Sequence, residues 1–218
     1  GYAWRVLEEA GLDLSTAEEV EKNRLRAGDL DIMLRRGEDI PQIVMDQIGI
    51  GSLVLGLTGD DLFDEYCLRN SDNPLRVENT YDWVDEEARF LRPTLCLINK
   101  TGRFEDVPDN GSVAVNTKYE LTSREYLSRN PRLSGKNFRV ILYSGDLEER
   151  VTGGGFDCCI DMVYSGETLD QNGLSVVEKI RFSDLVVISP LKRDESPFGK
   201  VMAEEFRQVA KSRQNPGS

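Results

Sequence analysis

The chain has 218 residues, 39% of them hydrophobic, which is enough to bury one large core or two smaller ones. Its 27 basic and 39 acidic residues give a net charge of −12, which argues against a nucleic-acid binder because such a protein needs a basic face. The chain has no histidine, which excludes histidine triads, general bases and metal ligands. No apolar run approaches the roughly 20 residues that span a bilayer, so a membrane is not an expected partner.

Apolar spacing predicts alternating helices and strands in the first part of the chain. Ser15 and Glu18 have the spacing of a capping box, which predicts that a short helix begins there. The other predicted helices cover 4–10, 39–48 and 60–66, and the predicted strands cover 30–34 and 53–59.

The alternation continues to the end of the sequence. Strands are predicted over 94–99, 113–116, 138–143, 156–163 and 185–189, and helices over 122–129 and 146–151. A final helix is predicted from the apolar stripe of Phe198, Met202, Phe206 and Val209. This order favours an α/β fold with a largely parallel sheet.

The four cysteines do not have the spacing of a zinc site. They are Cys67, Cys96, Cys158 and Cys159. We therefore expect buried, reduced thiols in a cytosolic protein.

Residues 161–174, DMVYSGETLDQNGL, place an acid and a run of small hydroxyl residues at the end of a predicted strand. Backbone amides at such a strand end, together with Ser165 and Thr168, suit a phosphate, and Gly166 lets a ligand approach closely. Asp161 can accept hydrogen bonds from sugar hydroxyls, so a ribose phosphate is a natural ligand. The pattern equally fits a helix cap at Ser165 or Thr168 with a solvated acid, and the residues alone leave both readings open.

The same stretch resembles the phosphoribosyl pyrophosphate loop of the ATP phosphoribosyltransferase family, which reads roughly D-hydrophobic-V-x-[ST]-G-x-T-L followed by an N-G-L-like stop. Three further segments resemble that family in the same order, and together they cover most of the chain. They are DIMLRRGEDIPQIV (31–44) with LGLTGDDL (55–62), TKYELTSREYL (117–127) and GDLEERVTGGGFDCCID (145–161).

The resemblance implies an α/β, two-domain type II periplasmic-binding-protein-like fold with the active site in the interdomain cleft. Residues 1–94 would begin domain I, 95–182 would form domain II with the phosphoribosyl pyrophosphate loop, and 183–218 would return to domain I and end in a helix. Because the sequence ends soon after Val209, the resemblance is to the short form of the family. It implies a cytoplasmic oligomer that pairs with a histidyl-tRNA-synthetase-like regulatory subunit.

The implied activity is transfer of phosphoribosyl from phosphoribosyl pyrophosphate to N1 of ATP, the first step of histidine biosynthesis. Mg²⁺ would arrive bound to the substrate, with no metal site on the protein itself. By resemblance, Asp161 holds the ribose hydroxyls and Glu148 is a second catalytic carboxylate. Arg36 is a candidate nucleotide contact, although a surface arginine is an equally good reading. The residues implied for the 5-phosphate are Ser165, Gly166, Glu167, Thr168 and Leu169.

Several positions depart from the family pattern. Asp146 stands where the family has Ser, residues 151–152 replace Pro-Arg, and Glu120 replaces Pro. The family also opens with a strand and a K-G-R-L-like turn, which we expect the reading frame to encode upstream of Gly1. Since these departures remove positive or preorganised groups while the loop is kept, the alternative function is a divergent paralogue that binds a phosphorylated ligand as a non-catalytic or regulatory module.

Overall fold

The structure is a computed structural model that describes residues 2–9, 13–15, 17–27, 30–48 and 54–190. The chain divides into two compact units. Unit 1 comprises the described residues of Gly1–Phe63, Asp72–Asp82 and Leu185–Ser218, and unit 2 comprises Asp64–Ser71 and Trp83–Asp184. The predicted C-terminal helix at 198–209 lies outside the described residues.

The described residues form six α-helices, eleven strands and three short 3-10 turns. The helices are α1 (Tyr2–Glu9), α2 (Ile40–Asp46), α3 (Asp60–Arg69), α4 (Glu120–Arg129), α5 (Leu147–Thr152) and α6 (Glu167–Gln171). The strands are β1 (Glu18–Glu21), β2 (Arg24–Ala27), β3 (Leu30–Met33), β4 (Gly56–Gly59), β5 (Leu75–Tyr81), β6 (Thr94–Asn99), β7 (Ser112–Asn116), β8 (Arg139–Tyr143), β9 (Cys158–Val163), β10 (Ser175–Phe182) and β11 (Leu185–Pro190). The 3-10 turns are Gly37–Asp39, Phe104–Asp106 and Thr117–Tyr119. No described helix has the length and apolar character that a bilayer span requires.

Unit 1 contains two three-stranded sheets. One is the meander β1-β2-β3, and the other has the order β4-β11-β5 with the apolar strand β11 in the middle. Helix α2 packs closely on the second sheet at Gly56, where an added Cβ atom would lie 2.6 Å from Ile40, 2.8 Å from Val44 and 2.9 Å from Ile188. Gly56 is therefore required by this close contact between helix and strand.

Unit 2 is built on one five-stranded sheet of order β10-β6-β9-β7-β8. Strand β7 runs parallel to both β8 and β9, whereas β6 runs antiparallel to both β9 and β10. All six residues of β6 are buried, and one face of the sheet is covered by Leu147 and Val151 of α5 and Leu169 of α6. None of the four cysteines forms a disulfide, and burial raises the pKa of Cys96 and Cys158 to about 12.

The predicted strands at 30–34, 53–59, 94–99, 113–116, 138–143, 156–163 and 185–189 are confirmed in the described residues, with ends that shift by a few positions. The helices predicted at 4–10, 39–48, 60–66, 122–129 and 146–151 are confirmed in the same way.

Two of the expectations are wrong, and two edge strands were missed. The sheets are antiparallel or mixed rather than largely parallel. The helix predicted from Ser15 is replaced by β1, because Glu18–Glu21 pairs with Arg24–Ala27 across a turn in which Asn23 adopts a left-handed φ of 64°. Strands β5 and β10 were not predicted, since both lie at sheet edges and mix charged with apolar residues.

Glu65 of α3 caps the N-terminus of α4, which has no side-chain cap of its own. Its Oε1 accepts from the backbone N–H of Leu121 at 2.8 Å and from Arg69 at 3.0 Å. Its Oε2 accepts from the backbone N–H and the hydroxyl of Thr122 at 2.9 and 2.8 Å. Glu65 is 4% exposed, so the N–H groups of Leu121 and Thr122 are satisfied by a buried acceptor.

Replacement of Glu65 by Ala should therefore lower the free energy of unfolding by about 1–3 kcal/mol, because it leaves the N–H groups at the start of α4 without their buried acceptor. Urea denaturation measures this loss. The matched control is Glu125→Ala, which removes an exposed pair with Arg129 on the same helix and should cost less than about 0.5 kcal/mol. Equal losses in the two variants would contradict the capping role.

Candidate active site

Three segments that carry polar residues follow the carboxyl ends of the three parallel strands of unit 2. The turn that begins at Asn116 follows β7, Glu148 follows β8, and residues 165–169 follow β9. The carboxyl ends of parallel strands meet at one edge of a sheet, where α/β proteins bind their ligands. This topology places the predicted carboxylates and the predicted phosphate loop at one edge.

Asp161 lies on β9, the middle strand of the sheet, beside the last residue of β7. Its Oδ1 accepts from Nδ2 of Asn116 at 2.9 Å and from the backbone N–H of Met162 at 2.8 Å. Its Oδ2 accepts no hydrogen bond from the described part of the chain. The half-buried carboxylate is thus fixed through one oxygen, and its other oxygen has no hydrogen-bond donor among the described residues.

Asn116 connects Asp161 to the 3-10 turn that follows β7. Its Oδ1 accepts from the backbone N–H of Lys118 at 3.1 Å, while its Nδ2 holds Asp161. Lys118 is exposed, and its charge acts on Asp161. The sequence analysis missed both residues, although an asparagine directly after the apolar run VAV was an available signal for a strand-end contact.

Burial raises the pKa of Asp161 from its ordinary value of 3.8 to about 6. The hydrogen bonds from Met162 and Asn116 and the charge of Lys118 oppose this shift, whereas the negative charge of Glu148 adds to it. Glu148, in the first turn of α5, is therefore close enough to Asp161 to interact with it electrostatically. The described residues contain no cluster of three or more acidic or cysteine side chains that could hold a metal ion by themselves.

The loop after β9 turns at Gly166, which adopts a φ of 80°. Leu169 is 2% exposed and anchors α6 in the core, so it can offer a ligand only its backbone. The Ser165 hydroxyl accepts from the backbone N–H of Glu167 over a long 3.4 Å, and the exposed Thr168 hydroxyl makes no hydrogen bond to described residues. The Ser165 hydroxyl therefore makes only a weak helix-capping hydrogen bond, and the Thr168 hydroxyl makes none to the described residues.

Arg36 belongs to unit 1, whereas Asp161, Glu148 and residues 165–169 belong to unit 2. It lines an open pocket of about 520 Å³ together with Asn23, Leu34, Arg35 and Asp39. Arg35 and Arg36 are adjacent at this pocket, and two arginines together are suited to binding an anionic ligand. An arginine that merely lay on the surface would not need to line a pocket.

A family model described as ATP phosphoribosyltransferase matches residues 36–209, a range that contains every candidate site residue named above. The chain belongs to the ATP phosphoribosyltransferase family. Curated ATP phosphoribosyltransferases from Methanococcus maripaludis strain C5 and Pseudomonas fluorescens strain SBW25 are 27% and 29% identical to it over 192 and 146 residues. These matches cover 88% and 67% of this chain and 61% and 59% of the relatives, so the chain spans about three fifths of their length.

Three solved structures have a fold similar to that of this chain. The ATP phosphoribosyl transferase (HisG:HisZ) complex from Thermotoga maritima matches with a TM-score of 0.65 and 18% identity over 96% of this chain and 92% of that chain. The periplasmic sulfonate-binding protein SsuA from Methylobacillus flagellatus matches with a TM-score of 0.55 and 12% identity over 80% of this chain and 52% of that one. The VFT2 domain of Bordetella pertussis BvgS matches with a TM-score of 0.52 and 10% identity over 98% and 80%. The predicted α/β fold of the periplasmic-binding-protein type is confirmed.

Replacement of Asp161 by Asn should stabilise the protein at neutral pH. The raised pKa means that folding favours the protonated acid, and this stabilising contribution is lost as the pH rises through about 6. The amide oxygen of Asn can still accept from Asn116 and Met162. We expect the free energy of unfolding to increase by about 1–3 kcal/mol at pH 7.5 and by about a third of that at pH 4.5.

Urea denaturation of Asp161→Asn at the two pH values checks this expectation. Asp72→Asn serves as the control, because Asp72 lies in an exposed turn. A gain that stays constant between pH 4.5 and 7.5, or a loss of stability at pH 7.5, would contradict the cost assigned to the buried charge.

Proposed function

We propose that this chain is an ATP phosphoribosyltransferase, which transfers the phosphoribosyl group of phosphoribosyl pyrophosphate to N1 of ATP in the first step of histidine biosynthesis. The observation that carries the proposal is the Asp161 carboxylate, held by one oxygen at the strand edge from which the phosphate loop begins. Family membership supports the same reaction.

In this reaction the N1 lone pair of ATP attacks C1 of the ribose. The bond from C1 to the pyrophosphate oxygen breaks, and its electron pair leaves with pyrophosphate. Positive charge develops on the ribose ring in between, so a group that stabilises this charge more strongly than the ground state accelerates the step. Asp161 can do this while its Oδ2 accepts from a ribose hydroxyl, and Glu148 adds a second negative charge nearby.

The other substrate contacts are assigned from the same geometry. Residues 165–169 would bind the 5-phosphate through backbone amides and the hydroxyls of Ser165 and Thr168. Lys118 is an exposed cation close to Asp161 and would face the leaving pyrophosphate. Phosphoribosyl pyrophosphate would bring Mg²⁺ bound to its pyrophosphate, and the ion would neutralise charge on the leaving group. Arg36 would contact the nucleotide from its pocket in unit 1.

We further infer that residues 1–94 and 183–218 form domain I and that residues 95–182 form domain II. The two compact units support a discontinuous first domain, but they place residues 64–71 and 83–94 in unit 2. The similar fold from Thermotoga maritima belongs to a HisG:HisZ complex. This similarity supports a histidyl-tRNA-synthetase-like regulatory subunit as the partner of this chain, within a cytoplasmic oligomer.

The reaction is tested with Mg²⁺, phosphoribosyl pyrophosphate and ATP by following pyrophosphate release. Asp161→Asn should lower kcat by roughly 10- to 1000-fold with a smaller change in KM, because it removes charge stabilisation and keeps shape. For the wild type, kcat/KM should fall as the pH drops through about 6, where Asp161 becomes protonated in the free enzyme.

The control is Asp72→Asn, which should leave both constants unchanged. A wild type that binds phosphoribosyl pyrophosphate but releases no pyrophosphate with any nucleotide acceptor would show the non-catalytic binding module instead. If kcat is the same in Asp161→Asn and in the wild type, Asp161 has no role in the mechanism.

The phosphate loop is tested separately by Thr168→Val. If the Thr168 hydroxyl donates to the 5-phosphate, its loss should weaken binding of phosphoribosyl pyrophosphate by about 1–3 kcal/mol, since a charged group loses a donor. Calorimetry measures the change, and Thr80→Val on the exposed side of β5 is the matched control. An unchanged affinity in Thr168→Val would leave Thr168 outside the phosphate site.

A further inference from the structure

Arg89 lies against the phosphate loop, although it is far from the loop in sequence. Its backbone N–H donates to the carbonyl of Tyr164 at 2.8 Å. A Cβ atom added at Gly166 would lie 2.6 Å from Cδ and 2.7 Å from Nη1 of Arg89. The arginine side chain therefore fills the space beside the first turn of the loop, which is a second reason, besides its positive φ, why residue 166 is glycine.

The backbone around Arg89 is fixed by a tight turn. The N–H of Asp85 donates to the carbonyl of Leu91 at 2.9 Å, and the N–H of Leu91 donates to the carbonyl of Ala88 at 2.9 Å. Leu91 closes the turn with a left-handed φ of 63°. Together with the bond to Tyr164, these contacts set the position from which the arginine side chain reaches the loop.

The guanidinium of Arg89 uses one nitrogen and leaves the others available. Its Nη1 donates to both carboxylate oxygens of Asp170 at 2.8 and 2.9 Å. Its Nε and Nη2 make no hydrogen bond to the described residues. Since a guanidinium carries five N–H donors in a planar fork, the group held by Asp170 still presents donors for an anion. An exposed pair of this kind contributes little to folding, so its main effect is to orient the guanidinium.

A second cation, Lys179, lies near Arg89, while Asp85, Glu86 and Glu87 precede Arg89 in the sequence. Burial raises the pKa of Cys96, and the charges of Lys179 and Arg89 both oppose that shift, so both cations lie near the same residue. The ammonium of Lys179 lies 3.9 Å from the centroid of the Phe90 ring, next to Arg89 in sequence. Helix α6 contributes two further acidic residues, Glu167 and Asp170.

We propose that Arg89 donates to the 5-phosphate of phosphoribosyl pyrophosphate bound at residues 165–169, with Asp170 as the counter-ion that orients the guanidinium before the substrate binds. The inference rests on the proposed function and extends it. Arg89 lies within the range that the family model matches, but outside the motif segments quoted for the resemblance.

Calorimetric titration with ribose 5-phosphate, and with phosphoribosyl pyrophosphate and Mg²⁺, tests the contact. Arg89→Met keeps the length of the side chain and should raise both Kd values by about 10-fold or more, the effect of losing a charge-assisted hydrogen bond. Arg89→Lys, which keeps the charge without the fork, should give an intermediate increase. The KM for ATP should stay within about twofold, because the loop does not bind the nucleotide in this scheme.

Arg103→Met is the matched control, because Arg103 also pairs with a nearby aspartate on the surface of unit 2 and should leave both Kd values unchanged. Asp170→Asn separates a direct contact from a structural brace. With a direct contact, the amide oxygen still orients Arg89 while a negative charge is lost, so the Kd should stay equal or decrease.

Three results would overturn the inference. Weakening in Asp170→Asn equal to that in Arg89→Met would make Arg89 a brace for α6 and not a phosphate ligand. If the wild type binds both ligands and the Kd values of Arg89→Met are within about twofold of the wild-type values, Arg89 does not contact the phosphate. A wild type that binds neither ligand would refute the proposed function itself, and the inference with it.

Discussion

The site depends on a carboxylate that the protein keeps half-buried at the end of the middle strand of a sheet. Strand β6 pairs along one side of β9 and β7 along the other, and this pairing fixes the backbone of Asp161. The protein supplies two hydrogen bonds to one of its oxygens and none from the described residues to the second. The raised pKa is the energetic consequence, since an ion with one unsatisfied oxygen is poorly stabilised where water is scarce.

The mixed direction of the strands makes this arrangement possible. Strands β7, β8 and β9 are parallel, so the segments after them come together at one edge and deliver Asn116, Glu148 and the 165–169 loop. Strand β6 runs in the opposite direction, whereas β10, which pairs antiparallel with β6, runs in the same direction as β9. The helices that follow β8 and β9 are short, but Leu147, Val151 and Leu169 bury them in one apolar cluster with Cys96 and Cys159. Packing thus fixes the position of each segment, while its polar side chains stay available for substrate.

The structural features that could be predicted from the sequence are those formed by contiguous residues. The buried strands β6, β9 and β11 are short and mainly apolar, so they could be predicted from the sequence. Residues 161–174 form one short motif, so the phosphate loop could be proposed from the sequence as well. The parts that could not be predicted depend on contacts between distant positions. Asn116 meets Asp161 across 45 residues, and Arg89 meets Asp170 across 81. The capping-box spacing at Ser15 predicted a helix because a local pattern cannot register the strand pairing that overrode it.

The pKa of the Asp161 carboxyl in the folded protein tests this account most directly. It can be measured by following the side-chain carboxyl carbon by NMR through a pH titration, with the resonance assigned by its absence in Asp161→Asn. The account predicts a midpoint of about 6, because burial outweighs the hydrogen bonds from Asn116 and Met162 and the charge of Lys118. A midpoint at or below the ordinary value of 3.8 would show a solvated or fully paired carboxylate, and would contradict the claim that the fold holds Asp161 partly unsatisfied for its substrate.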